Sequence, residues 1–198
     1  MMKIQKEEIY RKAIHMSSLV YPIFYYFNDS KQCIVTISSF IFVLLMGVDY
    51  IRGRSKKLNG FFIRYLGFAL RERESSKFTG ATYFMLGALC AFLFFQKQIA
   101  IISVFILVIA DTAASIVGII YGRHKLVGNK SLEGASAFFI SSVIISCIGS
   151  FVCGIHVFPL LIASLVVTIF ELLSVDIGID DNILIPLGYG ICSTILIF

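Results

Sequence analysis

Asp111 is the only charge in an apolar stretch that runs from Gln98 to about Tyr121. An ionisable group inside a stretch of membrane length is costly enough to call for a chemical reason. Downstream lies Gly128-Asn129-Lys130-Ser131-Leu132-Glu133-Gly134. Glycines at Gly122, Gly128 and Gly134 would let backbone amides approach phosphate oxygens, with Lys130 as the counter-charge. The run is not a Walker A loop, because five residues separate Gly122 from Gly128 and Asn129 precedes Lys130. On a helix, Asp111, Ala114, Ser115, Gly118 and Gly122 share one face, so the carboxylate heads a groove without bulky side chains. Such a groove suits a ligand or a packed neighbouring helix.

Further acidic groups come after an apolar stretch that ends at Ser174. Glu171 sits in its last turn, and Asp176, Asp180, Asp181 and Asn182 follow in a loop without Lys or Arg. Hard oxygen ligands of this kind suit Mg²⁺, which binds through one or two carboxylates together with substrate phosphates. A plain acidic surface loop is the alternative. Near the N-terminus Glu8, Lys12 and His15 follow helical spacing, and Arg11 lies one turn from His15. These cations either neutralise phosphate or snorkel to anchor a helix end. Asp49, three residues before Arg52, reads as a local ion pair. Glu74, in Arg71-Glu72-Arg73-Glu74, either faces the same site or belongs to a solvated mixed-charge turn.

These groups need a scaffold, and composition names it. The 198 residues are 58% apolar and 15% charged, with a mean hydropathy of +0.90, which excludes an ordinary soluble domain. Seven stretches approach the length of about 20 residues that crosses a bilayer: roughly 9–27, 33–51, 79–95, 98–121, 134–154, 157–174 and 183–198. They use nearly the whole chain, so residues 1–198 are expected to form a single all-α domain, a polytopic transmembrane helix bundle. Pro22 should bend the first span without ending it. That span carries Glu7, Glu8, Arg11, Lys12 and His15 and lacks a small-residue cleavage site, unlike a removable signal peptide.

Charge placement orients the bundle. In this layout Lys31 and Lys97 are the only basic residues left on one side, and all others fall on the opposite side. Cytoplasmic loops collect Lys and Arg, which puts the N-terminus and the polar groups above on the cytoplasmic face. The net charge of +5 then reflects orientation and attraction to anionic headgroups rather than nucleic-acid binding. Between Leu58 and Arg71 the spacing of Leu58, Phe61, Phe62, Tyr65, Leu66 and Ala69 describes a basic amphipathic helix on the membrane surface. It would line the access route of a lipid or act as a tether. Cys33, Cys90, Cys147, Cys153 and Cys192 form no CxxC pair and read as small apolar fillers.

Cations for phosphate, carboxylates for Mg²⁺ and a groove in the membrane are what phosphoryl or nucleotidyl transfer to a lipid requires, since that chemistry is mostly positioning and charge neutralisation. At this point the motifs resemble a family. Glu8-x-x-Arg11-Lys12-x-x-His15, Asp111 to Gly118, Gly122 to Gly134, and Glu171 with Asp180-Asp181-Asn182-x-x-Ile185-Pro186-Leu187 are similar to the dolichol kinases, phytol kinases and CTP-dependent diacylglycerol kinases. The resemblance covers almost the full chain. It implies an integral membrane enzyme that phosphorylates a lipid alcohol, commonly from CTP, with Mg²⁺.

Carried over by position, the resemblance implies catalytic roles for Asp111, Lys130, Glu133 and Glu171. It implies nucleotide contacts for Arg11, Lys12, His15, Gly118, Gly122, Gly128, Ser131, Gly134 and Asn182, and metal contacts for Asp111, Glu171, Asp180 and Asp181. The general base would be a carboxylate or His15. A minimal length implies a prokaryotic inner-membrane protein, and a homo-oligomer stays open. The Gly-rich run also resembles phosphatidate cytidylyltransferases, whose downstream Lys-Asp, His-Gly-Gly and Asp-Arg-x-Asp elements this chain lacks. A small transporter or structural protein is a further reading, disfavoured because the charges gather near one face instead of marking a path across the membrane.

Overall fold

The rod from Lys97 to Tyr121 is the axis of the bundle, with 72% of its apolar stretch buried against other helices, compared with 17% for Lys31–Arg54 and for Leu132–Cys153. The structure is a computed structural model that describes residues 2–67 and 78–197. In chain order it contains α1 (Met2–Ser17), α2 (Val20–Phe27), α3 (Lys31–Arg54), α4 (Lys56–Leu66), α5 (Gly80–Phe94), α6 (Lys97–Phe105), a π-helical turn (Ile106–Ala110) and α7 (Asp111–Tyr121). A hairpin of β1 (Lys125–Val127) and β2 (Lys130–Ser131) leads into α8 (Leu132–Cys153), α9 (Val157–Ile177) and α10 (Asp181–Ile197). The Arg71-to-Glu74 turn and the end of the amphipathic helix at Ala69 to Arg71 lie outside the described residues.

An all-α membrane bundle is the architecture found. Among the described residues, α3, the α6–α7 rod, α8 and α9 are long and apolar enough to cross a membrane, whereas α5 and α10 are apolar but shorter. The first expected span differs more. It is two helices, α1 and α2, parted at Ser18 and Leu19 by tight turns in which the Ser18 and Leu19 amides reach the His15 and Met16 carbonyls. Pro22 explains the position of the break, because its ring excludes a helical carbonyl four residues earlier, at Ser18. The expected bend is therefore an interruption.

Local signals set the other boundaries. Ser30 caps α3 by accepting from the Cys33 amide at 3.2 Å. Ser55 ends α3 and caps α4, accepting from the Leu58 amide at 3.4 Å. Gly154 and Gly178 close α8 and α9 at φ of 67° and 74°, the left-handed geometry that glycine adopts at least cost. The Gly-rich run, expected as a loop, contains a short hairpin. Gly128-Asn129 is a two-residue hairpin signal, and Gly128 takes the required positive φ of 54°.

The core is built from α5, α6 and the π turn, where Ala88, Phe92, Ala100, Val104, Ile106, Leu107 and Val108 are wholly buried. Two close approaches fix the helices that frame the site. Pro186 cannot donate to the Asn182 carbonyl, and Gly87 of α5 lies so near that carbonyl that a Cβ would overlap it. On the other side Gly134 of α8 sits against α7, where a Cβ would come 3.0 Å from the Ala114 carbonyl oxygen. The small-residue groove is thus filled by the first turn of α8.

The polar groups separate into two ends. Lys97 pairs with Asp29 at 2.6 Å and Lys31 donates to the Leu93 carbonyl at 2.9 Å. Asp111 lies fourteen residues further along the rod, about 21 Å away at helical rise.

Candidate active site

Asp111 opens α7 directly after the π turn. A π turn inserts one extra residue into a helix and rotates the residues beyond it, and such turns recur at functional sites. Two groups hold this one. The Thr112 hydroxyl donates to the Val108 carbonyl at 2.6 Å, and His15 Nε2 lies 3.3 Å from the Leu107 carbonyl oxygen. A carbonyl only accepts, so Nε2 is the donor in this contact. Phe84 meets the His15 ring edge-on at 5.3 Å between centroids.

Lys12 and His15, which share a face of α1, meet the Asp111 carboxylate. Lys12 Nζ donates to Asp111 Oδ2, with both side chains less than a tenth exposed, and His15 Nε2 is 3.8 Å from the same oxygen. Arg11 pairs with Glu8 in the same helix.

A second pair is built by the hairpin. Lys130 on β2 donates to the Glu171 carboxylate and backbone carbonyl, and to the Ser174 hydroxyl at 3.1 Å. Its Nζ is also 4.0 Å from Asp181 Oδ2. Glu171 and Ser174 belong to the last turns of α9, where outward-pointing carbonyls favour a cation. The two pairs are electrostatically in touch: Asp111 and Asp181 both act on Glu171, and Asp111, Lys12 and Asp181 on His15.

The remaining expected residues hold the frame of these pairs. Ser131 caps α8, accepting from the Gly134 amide at 3.2 Å. Around it Gly122 leaves no room, since a Cβ there would stand 2.8 Å from Ser131 Oγ, and at Gly118 the distance is 3.5 Å. Glu133 accepts from the Arg123 and His124 amides at 3.2 and 3.3 Å and pairs with His124 Nδ1 at 2.7 Å. It ties the base of the hairpin. Asp180 accepts from the Asn182 amide and side chain at 3.1 and 2.7 Å and so caps α10.

Residues 1–176 match the model of the cytidylyltransferase family. The chain belongs to this family. Several proteins similar to it carry the names of kinases. The chain is 36% identical over 149 residues to the CTP-dependent diacylglycerol kinase 1 of Eremothecium gossypii, covering 73% of this chain and 46% of that one. It is 33% identical over 131 residues to the probable phytol kinase 1, chloroplastic, of Oryza sativa, covering 59% and 42% respectively. It therefore spans less than half the length of either. An uncharacterised protein of Rickettsia prowazekii is 32% identical over 190 residues, 93% of this chain and 92% of that protein. No solved structure matches. The resemblance to lipid kinases is borne out by these names.

The candidate site has the donor chemistry for a hard cation, because Asp111 and Glu171 are buried carboxylates at one end of the bundle. Among the described residues, no three His, Cys, Asp or Glu side chains are placed to hold a metal unaided. Two carboxylates completed by nucleotide phosphates remain a sufficient set for Mg²⁺.

Three contributors escape a reading of the sequence. Ser174, three residues after Glu171, has the spacing to join it on a helix face, yet serine is common in apolar helices. Thr79 and Thr82 bind Asp49: its Oδ2 accepts from the Thr79 amide at 2.7 Å and the Thr82 hydroxyl at 2.7 Å, while Oδ1 pairs with Arg52 at 3.2 Å. The expected local ion pair at Asp49 is present, and it also anchors the start of α5.

Proposed function

We propose that this protein is a lipid kinase that transfers the γ-phosphoryl group of CTP to the hydroxyl of a membrane lipid alcohol such as a polyprenol, phytol or diacylglycerol. The observation that carries the proposal is the pairing of two lysines with two buried carboxylates, Lys12 with Asp111 and Lys130 with Glu171, at one end of the bundle. The kinase names of the relatives support the acceptor class, and the CTP-dependent name of the Eremothecium gossypii relative supports the donor.

In this reaction a bond forms between the lipid oxygen and the γ-phosphorus, the bond from that phosphorus to the β-bridging oxygen breaks, CDP leaves, and the hydroxyl loses its proton. Lys12 and Arg11 bind and neutralise phosphate charge, and Lys130, held on Glu171 and Ser174, adds its positive charge beside them. Asp111, Glu171 or His15 takes the proton, the histidine through Nδ1 because its Nε2 donates to Leu107. Mg²⁺ would be held by Asp111 and one of Glu171, Asp180 and Asp181 together with the nucleotide phosphates, and would supply further neutralisation. Gly118, Gly122, Gly128 and Gly134 shape the loop and the α7–α8 contact that present Lys130, and Asp180 with Asn182 fixes Asp181.

The bundle spans the membrane seven times, with the N-terminus and the site on the cytoplasmic face of a prokaryotic inner membrane. The placement of Lys31 and Lys97 at the opposite end supports this orientation.

The test uses purified protein in detergent with Mg²⁺ and γ-labelled CTP or ATP, offered polyprenol, phytol, diacylglycerol and phosphatidate in turn. Label on an alcohol is expected. Pyrophosphate release with phosphatidate, without labelled lipid, would replace the kinase by a phosphatidate cytidylyltransferase.

A further inference from the structure

The two lysines of the site are held in different ways. Lys130 gives its three N–H donors to three acceptors, the Glu171 carboxylate, the Glu171 carbonyl and the Ser174 hydroxyl. It is a fixed tie between β2 and α9. Lys12 has a hydrogen bond to the Asp111 carboxylate, and its helix ends at the break at Ser18 and Leu19, which gives α1 a joint close to the site.

We infer that Lys12 is an exchangeable counter-ion that keeps a divalent-cation position on Asp111 closed until nucleotide phosphate draws it away. The Lys12 ammonium occupies Asp111 Oδ2, and the two side chains are only 7% and 9% exposed. A divalent cation needs short contacts to the carboxylate oxygens, and the ammonium held on Oδ2 repels a second positive charge from the same carboxylate. Cation alone would have to displace Lys12 and strand a buried positive charge, which is strongly unfavourable. A phosphate arriving with the cation offers Lys12 a new partner while the cation takes over Asp111. The metal and the nucleotide therefore bind together, and the carboxylate stays neutralised throughout.

The nucleotide half of this inference rests on the kinase reading; the masking of Asp111 by Lys12 does not. The test is equilibrium binding of Mn²⁺, followed by electron paramagnetic resonance, to the full chain in detergent at pH 8 without nucleotide. At that pH an unperturbed histidine is neutral. Lys12→Gln is expected to bind Mn²⁺ tighter than wild type by about tenfold or more, because the stranded carboxylate gains a partner. Lys12→Arg, which keeps the charge, should behave as wild type. Combining Lys12→Gln with Asp111→Asn should abolish the gain.

Equal binding by wild type and Lys12→Gln, or a gain that survives Asp111→Asn, overturns the inference. Thermal unfolding covers the case of an unstable variant. Mn²⁺ should raise the melting temperature of Lys12→Gln but not of the double variant, and the absence of that difference also overturns it. A chain without kinase activity on any lipid alcohol would sink the functional proposal while leaving the Mn²⁺ result as it stands.

Discussion

Lys130 reaches both the carboxylate and the backbone carbonyl of Glu171, so one ammonium ties the hairpin to the last turns of α9. The tie explains how a short polar excursion between two apolar helices acquires a fixed place. It also brings the loop lysine to a carboxylate 41 residues away in sequence.

Replacing Lys130 with Met should loosen the hairpin and leave Glu171 buried beside Asp181 without a counter-charge. Removal of one partner from a buried pair costs about 3–5 kcal/mol, and the partial exposure of Lys130 places this variant at the lower end. Thermal unfolding in detergent measures it. Turnover should fall by about 10²- to 10³-fold, the scale for losing one electrostatic donor, and wild-type turnover would remove Lys130 from the mechanism.

Asp111→Asn keeps the shape of the side chain and removes its charge. Lipid phosphorylation should be abolished while the protein still inserts, with a lowered melting temperature in detergent because Lys12 is left buried without its counter-charge. Retained activity would show that Asp111 serves the fold and not the reaction.

Glu133 separates a positioning role from a catalytic one. Glu133→Gln preserves an oxygen that can accept from the Arg123 and His124 amides, so its activity should stay within about tenfold of wild type. Glu133→Ala loses those bonds and should also lose about 1 kcal/mol of stability, as for a removed cap. Equal, near-complete inactivation of both would instead give the Glu133 carboxylate a direct part in the chemistry.

Two glycines test the packing. Gly87→Ala would drive a methyl into the Asn182 carbonyl, and overpacking of this kind costs about 1–3 kcal/mol. Gly47 of α3 has nothing within 4 Å of its would-be Cβ, so Gly47→Ala should be neutral or stabilising by up to about 1 kcal/mol through helix propensity. Similar melting temperatures for the two variants would contradict the α5–α10 contact.

Residue types and spacing alone determined the membrane class, most helix boundaries and the set of charged residues worth explaining, because hydropathy, helical period and the cost of charge in an apolar stretch are local properties. The paired spacing of Lys12 and His15 was legible for the same reason. What each charge touches was not. Lys12 meets Asp111 across 99 residues and Lys130 meets Glu171 across 41, and no local rule selects those partners. The glycines after Asp111 were equally consistent with a ligand groove or a helix contact; only the packed bundle shows α8 occupying the space beside Gly118 and Gly122. Glu133 and Asp180 have the chemistry of a site and the position of a cap, and the neighbouring backbone amides decide which groups they bind. The tertiary structure alone determined these outcomes, because partner choice among buried charges depends on which helix ends the whole chain brings together.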